Sequence, residues 1–381
     1  MFTMLNIPFI ESRMRRLGLT QTQLAVNCEV SREAVSGWLA GRYGPRPSLL
    51  QRMADALQAT VDEVLLPVEL PASPVIAYRT VKNQEVSADA MKSAHSVAKH
   101  LRQLLPYMAK GPRFEPPTLR VPSSDYAFVQ RCVRRLRHSI KLNEKQPVTI
   151  EDLVLLHENF GSFIVPVLWG GDMHGHENAL NVYLPDSKTS WVLLNLNCKT
   201  DDARFWLAHE LGHCYSLPTL QGNDGEKFAE RFAAALLFPE AVAREILAEV
   251  RASDAPMRIV ETVAKERRIS VITVVRELDR AASASGDEPT GLDTPKFYEG
   301  WNAQRCEFAS LAQDLFGNDE PSALQYVEVA EKFFRTDVFS ALRGLQAAEG
   351  KASASFVAGA LNMNVIDAID LARALASRDA V

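Results

Sequence analysis

The chain has 381 residues, 47% of them apolar, and length alone predicts two to four domains. Its 42 Lys and Arg against 47 Asp and Glu leave a net charge of −5, which excludes a protein that coats nucleic acid along its whole length. No stretch approaches the ~20 apolar residues of a membrane span, Met1 to Ile10 lacks the basic region and cleavage site of a signal peptide, and the five cysteines are scattered as reduced thiols would be; the expectation is a cytoplasmic protein with no membrane partner.

The first elements run against the overall charge. Between Glu11 and Arg52, seven Arg and no Lys stand against three Glu. Leu19 to Ala25 reads as a capped helix start, Glu29 to Gly41 as a turn and second helix, and Pro47 to Leu57 and Thr60 to Leu65 as two more helices. Leu24, Ala25, Val30, Val35, Trp38 and Leu39 supply a compact core pattern. The segment resembles an Xre/Cro-type helix-turn-helix domain, expected over residues 1–67 with five helices. That resemblance implies a double-stranded DNA operator as partner, with Ser31, Arg32, Glu33 and Ser36 facing base edges and Gln21, Arg42 and Arg46 near phosphates. One such domain binds weakly, which makes a homodimer part of the expectation. The plainer alternative is a small helical interaction domain with solvated arginines.

Residues 68–145 read as linker and helical segment. Pro67 to Pro74 marks the linker, Ser87 to Met108 a helix, and Gly111 to Pro122 a second Pro-rich interruption. Tyr126 to Leu142 is predicted helical; its Arg131, Arg134, Arg135, Arg137 and Lys141 read as a solvated face rather than a second DNA contact.

Residues 146–282 carry the chemistry. Val148 to His157 and Ile164 to Leu168 open the region as helix and strand, and Trp191 to Asn197 has the apolar run of a buried strand. Thr200-Asp201-Asp202 then supplies an N-cap and acidic first turn for a helix bearing His209-Glu210-Leu211-Gly212-His213, the H-E-x-x-H pattern. Residues four apart share a helix face, so His209 and His213 can bind one Zn2+ ion while Glu210 reaches the attacking water as general base. A catalytic zinc takes three protein ligands and keeps an open position. The third is expected from Glu226 to Pro239, a helix preceded by Asn223-Asp224-Gly225, with Glu226, Ala229, Glu230, Ala233 and Leu237 on one face. Glu226 is assigned as ligand and Glu230 as acceptor of a hydrogen bond from a ligand histidine, the exchange of these roles being the alternative. His174-Gly175-His176 lies in a Gly-rich turn and is left out of the metal site.

His209 to His213 followed by Glu226, Ala229, Phe232, Ala233, Leu236, Leu237 and Pro239 resembles the ImmA/IrrE family of metallopeptidases, a likeness extending from Val148 to Asp279. Trp206 stands where Thr is common in that family, Phe238 where Met is, and Glu230 where Asn or Asp is. The resemblance implies a gluzincin-like α+β core and a zinc endopeptidase that inactivates a partner transcriptional repressor, itself a helix-turn-helix protein, in a stress, mobile-element or phage-defence circuit. The strand Val192 to Asn197 is expected to offer an edge to an extended substrate. Tyr215 and His176 are candidates for stabilising the oxyanion, and Cys198 or Cys214 for blocking the fourth zinc position.

Ala281 to Pro295 reads as a linker, and residues 296–381 as a helical domain for packing, dimerisation or sensing, in which Phe356 to Leu375 has a second helix-turn-helix rhythm without basic bias. The whole is expected to be mostly α: helix-turn-helix domain, α+β peptidase core with a small sheet, helical C-terminal part. The function expected is a DNA-binding regulatory metallopeptidase; the alternative is a helix-turn-helix regulator whose metal domain senses a signal without cutting a partner.

Overall fold

The computed structural model describes residues 5–40, 45, 47–65, 74–77, 88–109, 116–168, 179–305 and 309–376. The chain divides into two units, one comprising Met1–Pro71 with Thr118–Pro122 and Pro218–Leu220, the other the remainder.

The first unit holds five short helices, α1 (Ile7–Leu17), α2 (Gln21–Cys28), α3 (Arg32–Leu39), α4 (Pro47–Ala56) and α5 (Val61–Val64). Their ends follow from local chemistry. Thr20 and Gln23 close a capping box at the start of α2, Ser31 accepts from the Ala34 amide at the start of α3, and Thr60 and Glu63 form a second box at α5. Between α2 and α3 the chain turns through Glu29 in the left-handed region (φ 55°), its amide returned to the carbonyls of Ala25 and Val26. Ile10, Leu24, Cys28, Val35, Trp38, Met53 and Leu57 fill the core.

The second unit is built on a four-stranded sheet of β1 (Val75–Ala77), β2 (Phe163–Val167), β3 (Ala179–Leu184) and β4 (Thr189–Asn195), in the order β1-β3-β4-β2. β3 pairs antiparallel with β1 and β4, while β2 runs parallel to β4. Sequence periodicity predicts β2 and β4 but neither β1 nor β3. The edge expected of Val192 to Asn197 is not there: β4 is hydrogen-bonded to a neighbour on each side, because β3 arrives by hairpin and β2 fills the other flank. Every residue of β2 and β4 is buried, as in a sheet covered on both faces.

Around the sheet lie α6 (Ala88–Leu104), α7 (Tyr126–Ser139), α8 (Ile150–Phe160), α9 (Thr200–Ser216), α10 (Gly222–Leu237), α11 (Glu240–Ala252), α12 (Pro256–Arg267) and α13 (Val271–Ala284). The C-terminal part adds α14 (Pro295–Arg305), α15 (Leu311–Phe316), α16 (Ala323–Phe334), α17 (Val338–Glu349), α18 (Ala354–Leu361) and α19 (Val365–Ala376). α9 lies on β3 and β4 with α8 and α10 against it, and α10 also packs on α7 and α13. The second helix-turn-helix rhythm corresponds to α18 and α19, which pack on α6, α16 and α17. Among the described residues no single helix is long and apolar enough to cross a membrane.

Two local expectations change. The N-cap of α9 is Lys199, without a side-chain cap, and Thr200 instead donates to Asp314 Oδ2 at 2.6 Å. Arg137 is not on a solvated face: it is 1% exposed, and its guanidinium donates to the carbonyls of Leu236, Asn143 and Gln146, groups that the end of α10 and a loop leave without backbone partners.

His157 at the end of α8 is wholly buried, with Nε2 2.9 Å from the Leu207 carbonyl and Nδ1 2.7 Å from Ser162 Oγ. A carbonyl only accepts, so Nε2 carries the hydrogen of a neutral ring. Burial holds its pKa down at about 4, partly offset by the Leu207 hydrogen bond. Below its ordinary value of about 6.5 the unfolded chain therefore binds a proton that the folded chain refuses until about 4. The stability this residue contributes is complete above that ordinary value and is lost as pH falls through the window. Chemical denaturation between pH 7.5 and 4 is expected to show a smaller acid-side loss in His157→Gln than in the wild type, by up to about 3 kcal/mol, although the variant is less stable at neutral pH.

Candidate metal centre

α9 is buried on nearly all sides, so its polar residues must be answered by neighbouring elements. His209 and His213, one turn apart, face α10, the helix that supplies Glu226. The two helices approach where Gly212 meets Ala229: a Cβ on Gly212 would lie 3.0 Å from the Ala229 Cα and 3.2 Å from Phe232 Cδ1. Small residues at the crossing let the carboxylate one turn before Ala229 reach both imidazoles.

Glu226 Oε2 lies 3.3 Å from His209 Nε2, Glu226 Oε1 lies 3.1 Å from His213 Nε2, and the two Nε2 atoms are 3.0 Å apart. A tetrahedral zinc with N and O ligands at about 2.0–2.1 Å sets neighbouring ligand atoms about 3.3 Å apart. The three side chains therefore fit such an ion with little movement. Among the described residues this is the one group of three or more His, Cys, Asp or Glu ligand atoms so gathered. The histidines are 5% and 1% exposed, and the Glu226 side chain retains 20%, so the cluster is reached from its carboxylate side.

The electrostatics follow from burial and crowding. Burial pushes the Glu226 carboxyl up, but hydrogen bonds and charge from His209 and His213 outweigh it and hold the carboxyl down at about 2. Burial lowers His209, whereas in His213 the hydrogen bond and charge of Glu226 overcome burial and raise it; two imidazoles on one carboxylate share the proton unequally. Glu210 is 3% exposed, and burial, with the Glu226 charge adding, drives its carboxyl up to about 8. A bound cation would bring it back down, toward the range in which a carboxylate accepts a proton at neutral pH.

Asn181 on β3, fully buried, is a residue the sequence does not single out. Its Nδ2 donates to the Glu210 carbonyl at 3.1 Å and to Cys214 Sγ at 3.4 Å, tying the sheet to the middle of α9. Cys214 thus turns to the sheet, where burial pushes its thiol up to about 12 and keeps it protonated. Neither its sulfur nor that of Cys198 belongs to the cluster.

Glu230 does not accept from a ligand histidine. Its carboxylate meets Arg276 Nη1 of α13 at 2.9 Å, and the Nδ1 atoms of His209 and His213 have no hydrogen-bond partner among the described residues. Glu230 stands one turn beyond Glu226, where its half-exposed carboxylate has Arg276 as partner. Tyr215 packs its ring against Phe160 and Phe232, and His174 and His176 lie outside the described residues.

In the first unit, Arg32 and Glu33 are exposed on the opening turn of α3, Ser36 is half-buried one turn on, and Gln21 is half-buried at the start of α2. The Ser31 hydroxyl is engaged as the α3 cap, at 3.2 Å from the Ala34 amide. Arg42 and Arg46 lie outside the described residues. Residues 9–66 match a helix-turn-helix domain family. The helix-turn-helix domain is a DNA-binding unit, and it supports a role in transcription regulation. No curated protein matches the chain.

The Gly212 crossing makes a direct test of how the cluster is assembled. Gly212→Val places methyl groups against the Ala229 backbone, which cannot yield as a flexible side chain would. We expect thermal unfolding to show a loss of about 1–3 kcal/mol, and zinc titration a weaker affinity, because the helix carrying Glu226 is pushed away.

Proposed function

We propose that the chain is a DNA-binding regulator whose second unit is a zinc-dependent peptidase acting on a partner protein. The observation that carries this reading is the convergence of His209 Nε2, His213 Nε2 and the Glu226 carboxylate to within 3.3 Å, with Glu210 beside them on the same helix. The resemblance to the ImmA/IrrE family supports the same activity and suggests a helix-turn-helix repressor as substrate, in a stress, mobile-element or phage-defence circuit.

In this reading His209, His213 and Glu226 hold the ion. When bound, zinc supplies Lewis acidity toward the scissile carbonyl and lowers the pKa of water. The Glu210 carboxylate takes the proton of the attacking water and delivers it to the leaving amine. Asn181 fixes the Glu210 backbone, so that the carboxylate is presented from one rotation of α9. The helix-turn-helix domain brings the peptidase to DNA, where a bound repressor is within reach, or represses the chain's own promoter.

A second reading, a regulator whose metal domain senses without cutting, is favoured by one observation: Glu210 is nearly inaccessible, at 3% exposure. Two variants separate the readings. Glu210→Gln is expected to retain zinc in one-to-one ratio while lowering cleavage at least about 100-fold, seen as loss of new N-terminal peptides in cells after DNA damage or phage challenge. Arg32→Ala is expected to weaken operator binding by about 1–3 kcal/mol while leaving cleavage in solution unchanged, measured by fluorescence anisotropy at fixed salt. A regulatory response that survives Glu210→Gln and disappears with Arg32→Ala establishes the sensing reading instead.

A further inference from the structure

A peptidase that cuts an extended segment needs a sheet edge against which that segment can align by strand addition. β4 has none to give, and β3 is the strand between it and the rim. The outer edge of β3 is filled by the chain itself. Val75, Ile76 and Ala77 pair antiparallel with Tyr183, Val182 and Asn181.

The position of this short strand is what gives it meaning. Ala77 stands opposite Asn181 in the register, and the Asn181 amide holds the Glu210 carbonyl, so β1 pairs with the residue that anchors the backbone of the assigned general base. Val75, 8% exposed, shares a small apolar cluster with Tyr183 and with Leu217, the residue that follows α9. α10, which carries Glu226, also packs against β1. β1 therefore lies against β3 and α10, and beside the residue that follows α9, in the extended conformation a substrate would adopt. Its three described residues are at the lower limit of strand length, so the pairing they contribute is small.

We infer that β1 is an internal stand-in for the substrate, and that cleavage requires an extended segment to displace it. This rests on the peptidase reading above. Val75 defines the class of segment: a β-branched residue that packs with Tyr183 and Leu217. β1 begins ten residues after Leu65, the last described residue of the helix-turn-helix domain's unit before it, so the stand-in is tethered to the DNA-binding domain. A segment of lower affinity than β1 is excluded until the strand is drawn off, which gives selectivity against unfolded protein at large.

The test uses the full chain and a fluorescein-labelled peptide of residues 72–80. Val75→Asp puts a charge into the apolar cluster and is expected to expel β1, so that the peptide binds the variant about tenfold or more tighter than the wild type by anisotropy. In the zinc-loaded protein the same variant is expected to cleave casein several-fold faster. If Val75→Asp fails to fold, the wild type alone decides: saturating peptide is expected to raise hydrogen exchange at 75–77 as it takes their place. Equal peptide binding by wild type and folded variant, or unchanged exchange at 75–77, overturns the inference. Casein cleavage that depends on Glu210 but is equal in wild type and Val75→Asp upholds the peptidase and overturns the stand-in. Peptide exchange at β1 with no Glu210-dependent cleavage in either protein leaves β1 a displaceable strand, overturns its role as substrate stand-in, and counts against the peptidase reading itself.

Discussion

Everything at the candidate centre depends on how closely two helices pass each other at Gly212 and Ala229. An added methyl at Gly212 would meet backbone rather than a side-chain tip, so the separation of α9 and α10 is fixed by the absence of one carbon atom. Glu226 stands one turn before that crossing and His213 one residue after it. Moving the helices apart by the width of a methyl group would take the carboxylate out of reach of both imidazoles. Phe228 and Phe232 fill the space beside the small residues, so the approach is secured by buried aromatic surface rather than by the polar cluster itself.

The cluster would be costly if left to its own charges. Two imidazoles and a carboxylate at about 3 Å share too few protons, and Glu210, buried alongside, is pushed toward its neutral form. A divalent cation would resolve both problems: it would give the imidazole nitrogens a partner that needs no proton and offset two carboxylates at once. The sheet contributes from the other side, where Asn181 donates to the Glu210 carbonyl and to the Cys214 thiol. The order β1-β3-β4-β2 then determines how the centre is approached, because the strand above α9 already has a partner on each side.

Much of this was legible in the sequence where the signal is local. The helix-turn-helix domain declares itself through capping residues and the spacing of Leu24, Val35 and Trp38, and α9 and α10 through the H-E-x-x-H pattern and the alanine face. What depends on distant partners was not. β3 carries Asn181 in mid-strand, which weakens its apolar alternation, and β1 is three residues following a proline-rich stretch; both are strands because the sheet accepts them, not because of intrinsic preference. Glu230 and Glu226 look alike on the helical wheel, and the partner Glu230 takes, Arg276, lies forty-six residues on, beyond the reach of a local pattern. Arg137 sits in a basic run that reads as surface, yet its place is set by carbonyls of α10 and of the loop after α7.

Two histidines and one carboxylate are proposed to hold a metal with a position left for chemistry. Zinc K-edge X-ray absorption on the purified full chain tests this most directly. One zinc per chain is expected, with nitrogen and oxygen neighbours only, at about 2.0–2.1 Å, and two imidazole scattering paths. A sulfur neighbour at about 2.3 Å would mean that a cysteine closes the site, and a chain that retains no zinc would contradict the account.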